Sequence, residues 1–295
     1  MKKIIERLLI FFIGLPSVTA IVLFDFRHNL LMNILIIAVS GIGAVEFSSM
    51  LKKKNINIST IESFILGMLA PLAITLTISL SLPDWIIPAI VMTSALWVLF
   101  SGIFSGSRRA GDDCASEIEN VILKVTGRFS LIVYPGLFML WLVKMTLWGN
   151  NTAILLFLFI IFSSDSLAWL FGSLFGNNNR GIIAVSPNKS IAGFIGGILG
   201  PVIVSCFTAV FLPSVFPAIN GSASILILFA LVVGLVTGIA AIFGDLAESA
   251  IKRSCDFKDS GKLMLGRGGV LDSIDSIAVA APVFYLFFTH LYIFI

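Results

Sequence analysis

Long apolar runs separated by short polar segments make up most of the chain. A helix needs about 20 mostly apolar residues to cross a bilayer, so each long run is a candidate span. Nine such runs lie at 5–24, 30–50, 60–82, 86–104, 129–147, 152–175, 191–212, 223–248 and 274–294. We therefore predict an all-α polytopic membrane protein with nine transmembrane helices. The first run can be read as a signal peptide or as a retained helix, and we favour the helix because further spans follow it.

Basic residues are distributed unequally between the polar segments that separate these runs. The chain has 19 Lys and Arg residues. Alternate segments together carry all of them except Arg27 and Lys144, which lie in the segments between. Cytoplasmic loops of membrane proteins are enriched in Lys and Arg. The asymmetry therefore predicts a cytoplasmic N-terminus and a C-terminus outside, which requires an odd number of spans.

Composition excludes a soluble globular domain, because 58% of residues are hydrophobic and 12% are charged, against about 25% charged in soluble domains. The three cysteines and two histidines lie far apart, which argues against a disulfide framework or a zinc site. No nucleic-acid partner is expected. We divide the chain into residues 1–128, with four spans and a cytoplasmic connector, and residues 129–295, with five spans and the expected chemistry. The connector is either a solvated loop or a short amphipathic helix.

Charge is concentrated around the segment from Ser249 to Ser276, between the last two apolar runs. Asp245 and Glu248 come just before it, and Asp272 and Asp275 lie at its end. Each pair is three residues apart, which places both carboxylates on one face of a helix. We interpret the two pairs as oxygen ligands for hard cations such as Mg²⁺. The alternatives are an ordinary ion pair of Glu248 with Lys252 and helix capping by the later pair.

The segment between the two acidic pairs is basic and rich in glycine. Its members are Lys252, Arg253, Lys258, Gly261, Lys262, Gly266, Arg267, Gly268 and Gly269. Basic side chains together with a closely approaching backbone suit a polyphosphate. The alternative is a juxtamembrane cluster that only marks the cytoplasmic side.

Three further features lie earlier in the chain. Asp165 is a carboxylate inside an apolar run, which by default indicates a functional residue. The turn from Ser186 to Ser190 carries Lys189 just before the next run. That run contains glycines at small-xxx-small spacing between Gly193 and Gly200, which indicates close helix packing. The alternatives for these glycines are room for a lipid or nucleotide, and homodimerisation.

Taken in their order along the chain, the motifs resemble those of the CDP-diacylglycerol synthase family, also called phosphatidate cytidylyltransferases. The long C-terminal signature of that family is matched in register by Ser249, Lys252, Arg253, Lys258, Asp259, Gly261, Gly266, Gly268, Gly269, Asp272 and Asp275. Shorter family motifs are matched by Gly244, Asp245 and Glu248, by Asp165, Ser166, Ala168 and Trp169, and by Ser186, Pro187, Lys189, Ser190 and Gly193. The first half of the chain matches only as a set of hydrophobic spans.

The chain also departs from the family pattern. Arg267 replaces a histidine, Ser273 an arginine, and Leu265 a proline of the signature, while Asn188 and Ala192 replace a lysine and a glutamate of the turn motif. All the aspartates of the motifs are retained. Arg267 cannot act as an acid or base near neutral pH, because a guanidinium group stays protonated.

The resemblance implies transfer of a cytidylyl group from CTP to phosphatidate, giving CDP-diacylglycerol and pyrophosphate. It implies catalytic roles for Asp245, Asp272, Lys252 and Lys258. It implies Mg²⁺, as one of two cations, held by Asp245, Asp272, Asp275, Glu248 and Asp165. It implies substrate binding by Ser186, Lys189, Arg253, Asp259, Lys262, Arg267, Gly268 and Gly269.

The partners implied are CTP, phosphatidate and the lipid bilayer. The implied location is a bacterial-type inner membrane, with the active site facing the cytoplasm. Two alternatives stay open, a weakened or inactive paralogue that binds lipid phosphate or nucleotide, and a family member that acts on a different lipid phosphate. A transporter is a weaker alternative, because the charge is confined to one half of the chain.

Overall fold

A computed structural model describes residues 13–24, 26–27, 29–105, 121–218, 222–264 and 268–291 of the chain. Its helices are α1 Leu15–Leu23, α2 Leu30–Leu51, α3 Thr60–Ser79, α4 Ile86–Ser105, α5 Val121–Leu131, α6 Phe138–Met145, α7 Asn151–Phe175, α8 Ile191–Phe211, α9 Ala223–Ser254 and α10 Leu271–His290. A π-helical turn, Ile132–Leu137, joins α5 to α6. The described residues contain no β-strand, so the predicted all-α class is confirmed.

Seven helical segments of the described chain are long and apolar enough to cross a membrane. They are Leu30–Lys54, Thr60–Ser79, Val121–Trp148, Asn151–Phe175, Ile191–Phe211, Ala223–Ser254 and Leu271–His290. They correspond to the predicted runs except the first and the fourth. The first run lies largely outside the described residues and is represented by α1, and the fourth forms α4, whose apolar part Ile86–Ser101 is shorter than a span. A polytopic membrane protein is therefore confirmed with at least seven candidate spans.

Two helix boundaries differ from the prediction at the charged segment. α9 continues to Ser254 instead of ending at residue 248, and α10 begins at Leu271 instead of residue 274. Apolar content located the predicted ends, but a helix continues past the apolar core where its polar side chains find partners. Lys252 in the last turns of α9 has such partners. Asp245, Glu248 and Lys252 consequently lie on one continuous helix, as their spacing predicts.

Ser40 on α2 satisfies two backbone carbonyls near prolines in neighbouring helices. Pro71 within α3 has no N–H, so the carbonyl of Gly67 loses its usual helical donor. The Ser40 hydroxyl donates to Gly67 O at 2.7 Å and lies 2.5 Å from the carbonyl oxygen of Pro135 in the π-helical turn. Proline is tolerated in membrane helices where a neighbouring side chain supplies the missing donor. These contacts lock α2, α3 and the α5–α6 segment together.

α7 and α8 approach closely through the glycines of α8. A Cβ atom on Gly200 would lie 2.5 Å from the carbonyl oxygen of Ser163, so only glycine fits there. Ser164 adds a hydrogen bond across the same contact, donating to the Gly197 carbonyl at 2.8 Å. The packing interpretation of the glycine-rich run is thus confirmed, and it fixes Asp165 of α7 beside the start of α8.

Connections between the helices meet at two ends of the bundle. At the polar end, the segment 176–190 contacts α9 through Lys189 and Asp245, and the start of α10 contacts α2 through Leu271 and Glu46. At the aromatic end, Asn150 donates to the carbonyl of Val215 at 3.0 Å, and the rings of Trp148 and Phe288 lie 5.0 Å apart. The candidate chemistry lies at the polar end.

Candidate active site

A cavity of about 580 Å³ opens at the polar end, between α7, α8, α9 and the start of α10. This volume lies within the range of sites for small molecules. Its charged lining consists of the carboxylates Asp165, Asp245, Asp259, Asp272 and Asp275 and the cations Arg180, Lys189 and Lys252. The cavity thus gathers residues from three separate motifs, and carboxylates outnumber cations in it.

Lys189 and Asp245 connect two of these motifs directly. The Lys189 ammonium lies 2.6 Å from Asp245 Oδ2, and both side chains remain partly exposed to the cavity. Ser190, next to Lys189, caps α8 by accepting a hydrogen bond from Gly193 N at 3.0 Å. The cap fixes where the turn ends and so where Lys189 lies. The sequence prediction of a functional turn did not include this cap.

Lys252 lies between two carboxylates. Its ammonium is 2.5 Å from Asp272 Oδ1 and also forms an ion pair with Glu248, one helical turn earlier. The Glu248 side chain is 0% exposed and that of Lys252 is 12% exposed. The ion-pair alternative for Glu248 is therefore confirmed. Glu248 is not among the residues that line the cavity, so its role as a cation ligand stays a prediction.

Asp272 is held by backbone and side-chain donors at the start of α10. Its Oδ2 accepts hydrogen bonds from Gly269 N at 2.7 Å and Ser260 N at 2.9 Å, and it lies 3.0 Å from the Ser260 hydroxyl oxygen. Carboxylates are favoured at a helix N-terminus, where they accept from free N–H groups. Asp272 thus combines a place in the first turn of α10 with a contact to Lys252, and its role as a metal ligand stays a prediction.

Asp275, one turn further along α10, is buried and lines the cavity. Its Oδ1 accepts a hydrogen bond from Ser276 N at 2.6 Å. Asp165 lines the cavity from α7. The cavity therefore receives carboxylates from α7, α9 and α10, as the hypothesis of converging oxygen ligands requires.

Glu46 of α2 is a site residue that the sequence prediction missed. Its Oε1 accepts a hydrogen bond from Val270 N at 3.0 Å, and its Oε2 accepts from Leu271 N at 2.8 Å and from the Ser260 hydroxyl at 3.1 Å. A lone carboxylate within an apolar run is the signal that identified Asp165. The same signal applies to Glu46, in a half of the chain where no motif was recognised.

Arg180 is a second residue that the sequence prediction left out. It lines the cavity from the segment between α7 and α8, and its guanidinium reaches the carbonyl of Gly172 at 3.4 Å. Its backbone pairs with Ser190 in an isolated β-bridge. In the sequence, Arg180 only contributed to the excess of basic residues that predicts the orientation of the spans, and no motif marked it as a site residue.

Several predicted substrate contacts do not line the cavity. Ser186 is half-buried, and Arg253, Lys258 and Lys262 are exposed. Gly268 and Gly269 belong to the backbone around Asp272. Ser273 donates to the carbonyl of Gly269 at 3.3 Å. Arg267, with Leu265 and Gly266, lies outside the described residues. The roles of these residues stay predictions.

The cavity suits a magnesium ion held jointly with a phosphate. Among the described residues, no group of three or more His, Cys, Asp or Glu side chains could hold a metal by itself. Mg²⁺ is, however, usually bound by one or two carboxylates together with substrate phosphates and water. Asp165, Asp245 and Asp275 offer carboxylate oxygens along one cavity, so the donor set fits this kind of shared site.

Comparison with known proteins supports the resemblance. The model of the Cytidylyltransferase family matches residues 5–291. The chain is 38% identical over 126 residues to a phosphatidate cytidylyltransferase of Chlamydia pneumoniae, covering 42% of this chain and 38% of that protein. It is 30% identical over 151 residues to that of Staphylococcus saprophyticus, covering 51% and 54%. It is 35% identical over 126 residues to that of Bacillus subtilis, covering 43% of each.

These matched segments span about half the length, or less, of the curated relatives. The family model, in contrast, extends over nearly all of the chain and includes every residue that lines the cavity. The retained aspartates and the full extent of this match lead to one conclusion. The chain belongs to the Cytidylyltransferase family.

Proposed function

We propose that this protein transfers the cytidylyl group of CTP to phosphatidate, producing CDP-diacylglycerol and pyrophosphate. The observation that carries the proposal is the cavity at the polar end, where Asp165, Asp245 and Asp275 lie beside Lys189 and Lys252. The names of the relatives support the same reaction. Carboxylates and cations in one cavity are what a metal-assisted reaction between two phosphate compounds needs.

In this reaction an oxygen of the phosphatidate monoester attacks the α-phosphorus of CTP, and the bond from that phosphorus to pyrophosphate breaks. The attacking oxygen is already ionised near neutral pH, so no general base is required. Phosphoryl-type transfer depends mainly on positioning and on charge stabilisation. We assign contacts with the phosphates to Lys189, Lys252 and Arg180. The residual negative lining would repel a triphosphate, which is a reason for expecting a cation.

Mg²⁺, as one of two cations, would be held by Asp245 with Asp275 or Asp165, and would neutralise charge on the phosphates when bound. The second cation is not assigned. We also retain the predictions of nine spans, a cytoplasmic N-terminus and an outer C-terminus. The excess of basic residues in alternate segments supports them. A bacterial inner membrane, a site open to the cytoplasm and a homodimer remain part of the hypothesis.

The test is an assay of detergent-purified protein with phosphatidate, labelled CTP and Mg²⁺. We expect label in the lipid product from the wild type. We expect Asp245→Asn to lower the rate by about 10²-fold or more, as removal of one electrostatic contact to a transition state does. Glu62→Gln is the matched control, because Glu62 also lies at the polar end but pairs with Arg128 and does not line the cavity.

Absence of label from the wild type, under conditions where the protein remains folded, would contradict the proposal. Label that persists at the wild-type rate in Asp245→Asn would move the chemistry away from this cavity. Supplying other lipid phosphates in the same assay distinguishes phosphatidate from related acceptors. Omitting Mg²⁺ and adding a chelator should abolish incorporation if the shared metal site is correct.

A further inference from the structure

Glu46 is a buried carboxylate for which the proposed reaction has no direct use. It is 7% exposed, and it is not among the residues that line the cavity. The ion pairs of the described residues do not include it. Burying a carboxylate is costly unless hydrogen bonds compensate it. Its compensation comes from the Val270 and Leu271 N–H groups at the start of α10 and from the Ser260 hydroxyl.

The backbone at Gly261 and Gly269 lies close against this carboxylate. A Cβ atom on Gly261 would lie 2.7 Å from the carboxyl carbon of Glu46. A Cβ atom on Gly269 would overlap Glu46 Oε2 and would lie 2.6 Å from the backbone nitrogen of Gly261. Both glycines belong to the signature that we first related to phosphate binding. Glu46 provides a separate reason for glycine at both positions, because a side chain at either one would displace the Glu46 carboxylate.

A continuous set of contacts connects Glu46 with the cavity. The Ser260 hydroxyl lies 3.1 Å from Glu46 Oε2 and 3.0 Å from Asp272 Oδ2. The other oxygen of Asp272 contacts the ammonium of Lys252 at 2.5 Å, and Lys252 lines the cavity. Since Glu46 lies on α2, this path joins the N-terminal half of the chain to the site.

We propose that Glu46 is a positioning residue: it holds Ser260 and the start of α10 so that Ser260 and Asp272 direct Lys252 towards a phosphate-bearing substrate in the cavity. The inference rests on the proposed function for its effect on catalysis. The anchoring itself can be tested without turnover. Without the Glu46 hydrogen bonds, the residues that line the cavity would be the same but would be displaced. A displacement of about 1 Å can lower a rate by about 10²-fold.

The experiment compares Glu46→Gln, Glu46→Asp and Ser260→Ala with the wild type, in detergent, by hydrogen exchange and by kinetics. In Glu46→Gln we expect faster exchange at the Val270 and Leu271 amides, because one carboxylate oxygen becomes an NH₂ group. We expect kcat/KM for CTP to fall by about 10²-fold. Glu62→Gln is the matched control, since it removes a carboxylate of the same half and end; its exchange at these amides and its kcat/KM should match the wild type.

Coupling distinguishes positioning from a general loss of structure. If Glu46 acts through Ser260, the double variant Glu46→Gln with Ser260→Ala should lose no more activity than the more damaged single variant, because residues in one network are not additive. If the activity losses of the two single variants instead multiply in the double variant, Glu46 does not act through Ser260. Unchanged exchange at Val270 and Leu271, or wild-type kcat/KM in Glu46→Gln, would overturn the proposal.

If Glu46→Gln does not fold, Glu46→Asp and Ser260→Ala carry the same two readouts, and a wild-type result in both would overturn the inference. A wild type without cytidylyltransferase activity would contradict the proposed function alone. Exchange at the Val270 and Leu271 amides would still decide whether Glu46 anchors the start of α10.

Discussion

The polar and aromatic ends of this bundle are held together by different interactions. At the polar end, charged and hydroxyl side chains contact one another across α2, α9 and α10, with Lys252 between Glu248 and Asp272. At the aromatic end, ring packing dominates, with Phe284 5.0 Å from Phe288 and 5.1 Å from Phe157. The same helices run through both ends, yet the cavity lies at the end where charged side chains join the helices.

The difference follows from what each end must do. Hydrogen bonds and ion pairs fix the orientation of side chains, as a site for phosphates requires. Ring packing stabilises through buried area and geometry, and it specifies no charged orientation. We therefore expect changes in the charged contacts around the cavity to affect activity strongly, and changes at the aromatic end to affect stability alone.

The largest effect is expected from Lys252→Met at the polar end. Removing the ammonium leaves the fully buried Glu248 and the nearby Asp272 without a counter-charge. Breaking a buried ion pair in this way costs about 3–5 kcal/mol, and activity should be lost as well. Unfolding in detergent and lipid labelling measure the two effects. Adding Glu248→Gln should recover part of the stability but no activity; a Lys252→Met variant with full activity would contradict the contrast between the ends.

Phe284→Ala tests the aromatic end. We expect it to lose about as much stability as Lys252→Met but no activity per folded molecule. The Phe284 side chain is 0% exposed and packs against several rings. Replacing a buried phenylalanine with alanine costs about 3–5 kcal/mol. Detergent unfolding should show the loss, while labelling at low temperature should retain the wild-type kcat. Phe284→Leu, which fills more of the space, is the control and should lose less stability. A fall in kcat would show that the two ends are coupled.

The smallest effect is expected from Lys144→Met at the aromatic end. The Lys144 ammonium lies 5.0 Å from the ring centre of Trp141 and 5.1 Å from that of Tyr285. Lys144 is half-buried, and a cation–π contact contributes about 0.5–1 kcal/mol when exposed and about 2 kcal/mol when desolvated, so the midpoint of unfolding should shift less than in the two variants above. Lys144→Arg keeps the cation and should behave as wild type. A large loss of activity would mean that basic residues matter at both ends.

The sequence predicted the helices more completely than it predicted the site. Apolar runs located the spans because the bilayer core requires long apolar helices, but they placed the end of α9 too early, since polar turns can extend a helix. Asp165 was identified because intramembrane carboxylates are uncommon, and Asp245, Asp272 and Asp275 because two closely spaced acidic pairs flank the charged segment. The Lys189–Asp245 contact could not be predicted, because a residue of a connecting segment and a residue of α9 meet only when the helices pack.

Glu46 shows most clearly where sequence reasoning stopped. Its position in an apolar run was visible, but its partners Val270 and Leu271 lie at the other end of the chain. Only packing of α2 against α10 shows that it accepts from the start of the last helix.

By itself, the sequence determined the helical class, the retained aspartates and the family, because each of these depends on local composition or on residues at fixed spacing. The tertiary structure decided that Lys252 lies between Glu248 and Asp272, that Asp272 is bound by Ser260, and that Glu46 supports Ser260 from the first half of the chain. These contacts join residues distant in sequence, and their distances are set by how closely the helices pack.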